Sequence, residues 1–349
     1  MTARWRQAGI RFMAGLALLL FLVPGTISSD SELPDNPSQF IDARPLSLTR
    51  AMRESLANGA LQLVAGWELD GANSDFGGFS AVHAMGNDRF LLLSDYGVLA
   101  GFTLGGKGGT HDSFVAPLPV KAGDGEEKWD KDSEGMTFDP ISRRFWVSFE
   151  HRNAVRRYAP AFARAEMVGR PAQMKKWSGN GGAEAIVRLS DGRFLVFSES
   201  VEGPNGGSMA LLYDSDPAEP GAVARIFGFD APEGFLVTDA AQLPDGRVLV
   251  LHRSVTIRHG WRAMLSLFDP GDIVAGRAVR PLIVARLAAP LPIDNMEGLA
   301  IEAKVDGLHA WLVSDDNFST IQRTVLLDFR LDPEKLPKPE QKRKKARNR

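Results

Sequence analysis

Five times the chain repeats one phrase: a carboxylate or its polar stand-in, an apolar strand, a turn, a second strand, and a second polar cluster. The clearest copy is Asp132-Ser-Glu134-Gly-Met-Thr-Phe-Asp-Pro-Ile-Ser-Arg-Arg-Phe-Trp-Val-Ser-Phe-Glu150-His151. Another is Gly182-Ala-Glu184-Ala-Ile-Val-Arg-Leu-Ser-Asp-Gly-Arg-Phe-Leu-Val-Phe-Ser-Glu199. The remaining copies begin at Gly78-Phe-Ser80, Thr238-Asp239 and Asn295-Met-Glu297-Gly. Starts at 80, 134, 184, 238 and 297 are some 50 to 59 residues apart, a period that marks a repeat architecture.

Within a repeat the strand signals come three or four at a time. In the third they run over 184–189, 193–198, 209–214 and 223–229, punctuated by Asp-Gly turns such as 191–192 and 245–246. Units of four antiparallel strands at this spacing predict an all-β fold, a β-propeller of five four-stranded blades. The poorly patterned stretch from Gly105 to Lys131 leaves room for a sixth. A lone alternating segment, Leu61 to Leu69, is expected to complete the last blade and close the ring.

The ends of the chain read differently. Arg4, Arg6 and Arg11 precede the apolar run Phe12 to Val23, and small residues follow, which is the layout of a signal peptide over 1–29. The run is short of the about 20 residues a membrane span needs, so a periplasmic or secreted location is expected, with an uncleaved anchor as the alternative. Residues 30–58 read as a linker with helical periodicity near Leu48 to Asn58, 59–333 as the propeller, and 334–349 as a basic tail. With 41 basic and 43 acidic residues, no global charge favours nucleic acid, and the absence of cysteine excludes disulfides and thiolate chemistry. A monomer is expected.

In a propeller the start of each innermost strand and the end of the next lie on one face of the disc. That register gathers Ser80, Glu134, Glu184, Thr238/Asp239 and Glu297 with Asp95, Glu150, Glu199, Arg253 and Asp315 around one channel mouth. Carboxylates packed so closely repel unless a cation sits among them. Oxygen donors without cysteine and with few histidines suit Ca2+ or Mg2+ better than zinc. The bland alternative is that each acid clasps backbone N–H groups between blades. His151 and His252 fall at second-strand ends, as rim residues or as acid–base groups. Trp129, Trp146, Trp177 and Trp311 are expected to pack between blades, Trp129 with the option of lining a substrate. No Gly-x-Ser-x-Gly elbow, His-Glu-x-x-His motif or phosphate-cradling glycine loop occurs.

Asp132-Ser-Glu-Gly-Met, Gly182-Ala-Glu-Ala-Ile with Leu-Val-Phe-Ser-Glu199, Thr238-Asp239-Ala-Ala with Leu-Val-Leu-His-Arg253, and Asp294-Asn-Met-Glu-Gly-Leu with Val-Ser-Asp-Asp316-Asn resemble the bacterial "esterase-like activity of phytase" proteins. The likeness spans roughly residues 60 to 331. It implies an exported propeller that hydrolyses phosphate esters, by analogy with calcium-dependent propeller phytases. It also implies metal ligands among Glu134, Glu150, Glu184, Glu199, Asp239, Glu297 and Asp315, and phosphate binding by Arg253 with Lys128 or Arg152. The expected reaction is metal-dependent hydrolysis of a small-molecule phosphate ester, with Glu134, His252 and Arg253 as catalytic groups. A non-catalytic propeller that binds a ligand or protein at the acidic mouth is the alternative. Residual room is left for carboxyl-ester or lactone hydrolysis at the same mouth.

Overall fold

The computed structural model describes residues 36–106, 108–120 and 131–338. The expected signal peptide, the loop bearing Lys128 and Trp129, and the tail beyond 338 lie outside the described residues.

Strand β1 (Ile41–Pro45), helix α1 (Arg50–Glu54) and strand β2 (Leu61–Gly71) precede the first complete sheet. Blade one is β3 (Phe79–Ala84), β4 (Arg89–Ser94), β5 (Val98–Leu104) and β6 (Thr110–Pro117). Blade two is β7 (Ser133–Phe138), β8 (Phe145–Phe149), β9 (Ala154–Tyr158) and β10 (Ala165–Gly169). Blade three is β11 (Ala183–Arg188), β12 (Phe194–Glu202), β13 (Ser208–Tyr213) and β14 (Ala224–Phe229). Blade four takes β15 (Leu236–Gln242), β16 (Val248–Thr256) and β17 (Gly260–Phe268). The chain then detours through the short β18 (Ala278–Val279), which lies parallel to β14 on blade three, before β19 (Leu282–Leu287) finishes blade four. Blade five is β20 (Asn295–Lys304), β21 (Gly307–Asp315) and β22 (Thr324–Leu331), completed by β2 and then β1.

Contacts between innermost strands run β3 to β7 to β11 to β15 to β20 and back to β3. The molecule is therefore a five-bladed β-propeller, and antiparallel pairing of β2 with β22 closes the ring as the Leu61 to Leu69 signal predicts. The stretch from Gly105 supplies β6, the outer strand of blade one, rather than a sixth blade among the described residues.

The linker expectation needs revision at residues 41–45. These pair with β2 from Ile41 opposite Gly71 to Pro45 opposite Trp67, and Ile41 and Ala43 are buried. Five residues ending in proline carry too little alternation to read as a strand; the exposed edge of β2 provides the missing hydrogen-bond partners. Helix α1 is a single capped turn, with Thr49 accepting from the Met52 N–H.

Aromatic side chains seal the seams between blades. Trp311 on blade five is buried and meets Phe90 of blade one edge-on at 4.5 Å. Trp146 on blade two packs on Phe194 of blade three, and its indole N–H donates to Asp216 at 2.8 Å. Trp177 is buried in the same cluster. Truncating any one of these to alanine removes contacts worth about 3–5 kcal/mol.

Candidate functional site

Every innermost strand carries a β-bulge near its start, and all five bulges fall at the site positions. The register shifts across Ser80 in β3, Glu134 in β7, Glu184 in β11, Thr238 in β15 and Glu297 in β20. A bulge breaks strict alternation and re-aims one side chain; here it turns the same residue of each blade toward the channel mouth. Neighbouring inner strands approach closely where this happens. A Cβ on Gly135 would lie 2.6 Å from the Glu184 carbonyl oxygen, and one on Gly298 would lie 2.9 Å from the Val82 nitrogen. Glycine at these two positions therefore permits the convergence.

The bulge also decides which member of the Thr238/Asp239 pair joins the ring. Thr238 takes the slot and donates to the Met296 carbonyl at 3.2 Å. Asp239 is buried, with Oδ2 accepting from Leu299 N–H at 2.7 Å and Oδ1 from Ala240 N–H at 2.8 Å. Asp239 thus clasps blade four to blade five, and Ser80 does the same between blades one and two by donating to the Ser133 carbonyl at 2.7 Å. For these positions the clasp describes the contacts.

The remaining acids fall into two groups. In the first, oxygens of Asp132, Glu134 and Glu150 all lie within 4.8 Å of one another. Glu150 Oε1 accepts from the backbone N–H groups of Gly181 and Gly182, the latter at 3.0 Å, and its carboxyl also hydrogen-bonds Glu184. Glu134 accepts no hydrogen bond among the described residues. Burial, then the charges of Asp132, Glu150 and Asp95, hold the Glu134 carboxyl well above the usual carboxylate range. Burial and the nearby Glu134 and Glu199 do the same to Glu184. Glu150 is raised too, since burial outweighs its backbone donors.

In the second group a cation is already present. Arg253 projects from β16 with Nη2 at 2.8 Å from Glu199 Oε1 and Nη1 at 3.0 Å from both Glu297 Oε1 and Asn295 Oδ1. Asn295 passes its Nδ2 to Asp315 Oδ2 at 3.3 Å, and Asp315 Oδ1 accepts from Asn317 N–H at 2.6 Å. Burial pushes Glu297 up to about 8 against the pull of Arg253, and Asp315 up to about 7. Burial disfavours the Arg253 charge, yet Glu297, Glu199 and Glu184 hold the guanidinium above its ordinary value.

His252 does not join this assembly. Alternation along β16 turns it away from Arg253 and into the space between blades three and four, where it stacks on Phe229 at 6.0 Å. It is fully buried, its Nε2 is 2.7 Å from Ser266 Oγ, and burial lowers its pKa to about 3. A neutral imidazole enclosed there reaches no ligand at the mouth. His151 stays at the rim, half-buried beside Gly179. Arg152 is exposed there.

Sequence reasoning set Asp132 among the acids approaching this face without pairing it with Glu134 and Glu150, and it missed two further participants: Asn295 as the bridge from Arg253 to Asp315, and the Gly181–Gly182 backbone that receives Glu150. Their signal was present in Asp132-Ser-Glu134, Asn295-Met-Glu297 and the glycine pair before Glu184. In each case it was a neighbour of the residue singled out.

Fold and site together define a five-bladed propeller with an acidic, partly arginine-neutralised channel mouth. The chain belongs to the Phytase-like family, described as "esterase-like activity of phytase", whose model matches residues 74–318. No curated protein matches the sequence significantly. Among solved structures, similar chains include hydrazine synthase of Kuenenia stuttgartiensis, at 10% identity and a TM-score of 0.36. That match covers 72% of this chain, which spans only 60% of the hydrazine synthase chain. A chain of a nidogen/laminin complex matches at 9% identity and TM-score 0.42, covering 78% of this chain and 88% of that one. The WD40 propeller domain of Doa1 matches at 10% identity and TM-score 0.37, covering 80% of this chain and all of that one. Among the described residues no helix is long and apolar enough to cross a membrane.

Proposed function

We propose that this protein is an exported, metal-dependent hydrolase of small phosphate esters that works at the acidic mouth. The observation that carries the metal is the Asp132–Glu134–Glu150 constellation, three carboxylate oxygens within 4.8 Å of one another. Such a donor set fits a hard divalent ion, Ca2+ or Mg2+. Asp132, Glu134 and Glu150 would hold it, with Glu184 against Glu150 behind them. The bound ion would offset charge developing on the ester oxygens. Burial and neighbouring acids hold the Glu184 carboxyl well above the usual carboxylate range, which favours its protonated form and suits it to hold or donate a proton at the mouth. Glu134 is the second candidate for proton transfer when no ion engages it.

Arg253 shapes the substrate class. Both of its terminal nitrogens are committed to Glu199, Glu297 and Asn295, so it orients the carboxylates rather than gripping a phosphate. A mouth whose half-buried arginine is so engaged suits a monoester better than a densely phosphorylated substrate such as phytate.

The test is hydrolysis of p-nitrophenyl phosphate by the wild type and by Glu134→Gln, with calcium and with excess EDTA. Turnover that survives both the substitution and the chelator would overturn the proposal. A protein that binds calcium but turns over no ester would instead be a ligand-binding propeller.

A further inference from the structure

Past Arg253 the second and third strands of blade four continue outward as a hairpin. Arg253 of β16 stands opposite Ala263 of β17, the next pair outward is Ser254 with Arg262, and the ladder ends at Thr256 opposite Gly260. Arg253 marks the level of the mouth by its contacts with Glu199 and Glu297, so the hairpin rises on the mouth side of the blade. Arg262 belongs to the third strand, yet its guanidinium reaches inward. Nη2 donates to Ser254 Oγ on the second strand at 2.9 Å. Its Cζ lies 5.2 Å from the ring centroid of Phe235, the residue just before the innermost strand β15. One side chain thus crosses from the third strand over the second to the start of the first, towards the channel.

That guanidinium carries its charge without a carboxylate. Ser254 and the face of Phe235 are neutral partners, Nε is enclosed with no acceptor, and among the described residues Arg262 makes no ion pair. A guanidinium offers five N–H donors on a planar fork that matches two oxygens of a phosphate. Ser254 takes one of them. An anion approaching a ring of carboxylates is repelled, and a cation at the rim offsets that repulsion at close range. Arg253 is already committed to Glu199, Glu297 and Asn295; Arg262 is not committed to any acid among the described residues.

Resting on the phosphate-ester reading above, we propose that Arg262 receives the phosphoryl group of the ligand at the mouth, with Ser254 and Phe235 holding its guanidinium in place. A single fork of this kind serves a single phosphate. It is a positioning residue that binds the substrate, distinct from the acids that act on it.

The probe is inorganic phosphate, titrated calorimetrically into the full chain in EDTA so that no divalent ion contributes. The wild type is expected to bind it, and Arg262→Met to bind it at least about tenfold more weakly, the size of one charge-assisted hydrogen bond. Arg262→Lys should lose less, and Arg258→Met, at the exposed hairpin tip, should bind as the wild type does. A wild type that binds no phosphate overturns the proposal, and that result needs no variant to fold. Equal binding by a folded Arg262→Met overturns it as well. With p-nitrophenyl phosphate the same variant should raise KM and leave kcat nearly unchanged, because the contact is made equally in ground and transition states; turnover with an unaltered KM counts against it. Phosphate binding lost with Arg262→Met in a protein that hydrolyses no ester would keep the anion site and remove the hydrolase.

Discussion

Arg253 and Glu199 sit 2.8 Å apart although they come from second strands of adjacent blades. Their contact ties blade three to blade four, and the Arg253–Glu297 pair at 3.0 Å extends the tie to blade five. A side chain that serves the mouth thus also holds three blades in register.

Removing that charge while leaving its partners should be costly. Arg253→Ala leaves Glu199 and Glu297 facing each other in a largely dehydrated site, and breaking a buried pair in this way costs about 3–5 kcal/mol. Denaturant unfolding at neutral pH without divalent ions is expected to show a loss of that order, smaller for Arg253→Lys. A change within error for Arg253→Ala would mean that the carboxylates have other counter-charges.

Calcium should stabilise the fold. An ion that binds only the native state at one hundred times its Kd adds about 2.7 kcal/mol, so the melting temperature should climb with calcium and fall back with EDTA. Glu134→Gln removes one of three donors and should abolish most of the shift. A calcium shift of equal size in that variant would move the ion elsewhere.

The pH dependence of the metal-free protein follows from carboxyls whose native pKa values are raised. Such groups bind more protons folded than unfolded, so stability is complete below the unfolded value and falls as pH rises through the folded one. With Asp315 raised from 3.8 to about 7 and Glu297 from 4.5 to about 8, the melting temperature in EDTA should decline between roughly pH 4 and 8 and level off above that. Each unit of difference corresponds to about 1.4 kcal/mol before coupling between the acids is counted. Stability rising across that interval in EDTA would contradict the assigned directions.

Asp239→Ala should separate clasp from site. It leaves the Leu299 and Ala240 N–H groups without their acceptor, each worth about 1–3 kcal/mol when buried and unpaired. Thermal unfolding should show the loss, while the calcium-induced shift of the folded variant stays at the wild-type size. A vanished shift would put Asp239 back among the metal ligands.

His252→Gln offers a test of the excluded acid–base role. The imidazole is neutral down to about pH 3 and enclosed beside Phe229, so any ester turnover should keep its pH profile in the variant. A lost ionisation limb in that profile would assign the histidine a part in proton transfer.

Much of this molecule was legible in one dimension because a repeat constrains its own tertiary structure. Five copies of Glu, Ser or Thr, strand, turn, strand can bury their apolar faces only against one another, so the propeller of at least five blades, ring closure by Leu61 to Leu69 and the shared mouth of Glu134, Glu184 and Glu297 all follow from spacing. Tertiary structure alone decided how each acid is used. A bulge is a one-residue register slip that leaves no periodic trace, yet it turns Thr238 rather than Asp239 toward the mouth. Whether a carboxylate meets a guanidinium, a backbone N–H or another carboxylate depends on ångström distances between blades. Those distances set Arg253 among Glu199, Glu297 and Asn295 and bring oxygens of Asp132, Glu134 and Glu150 within 4.8 Å of one another.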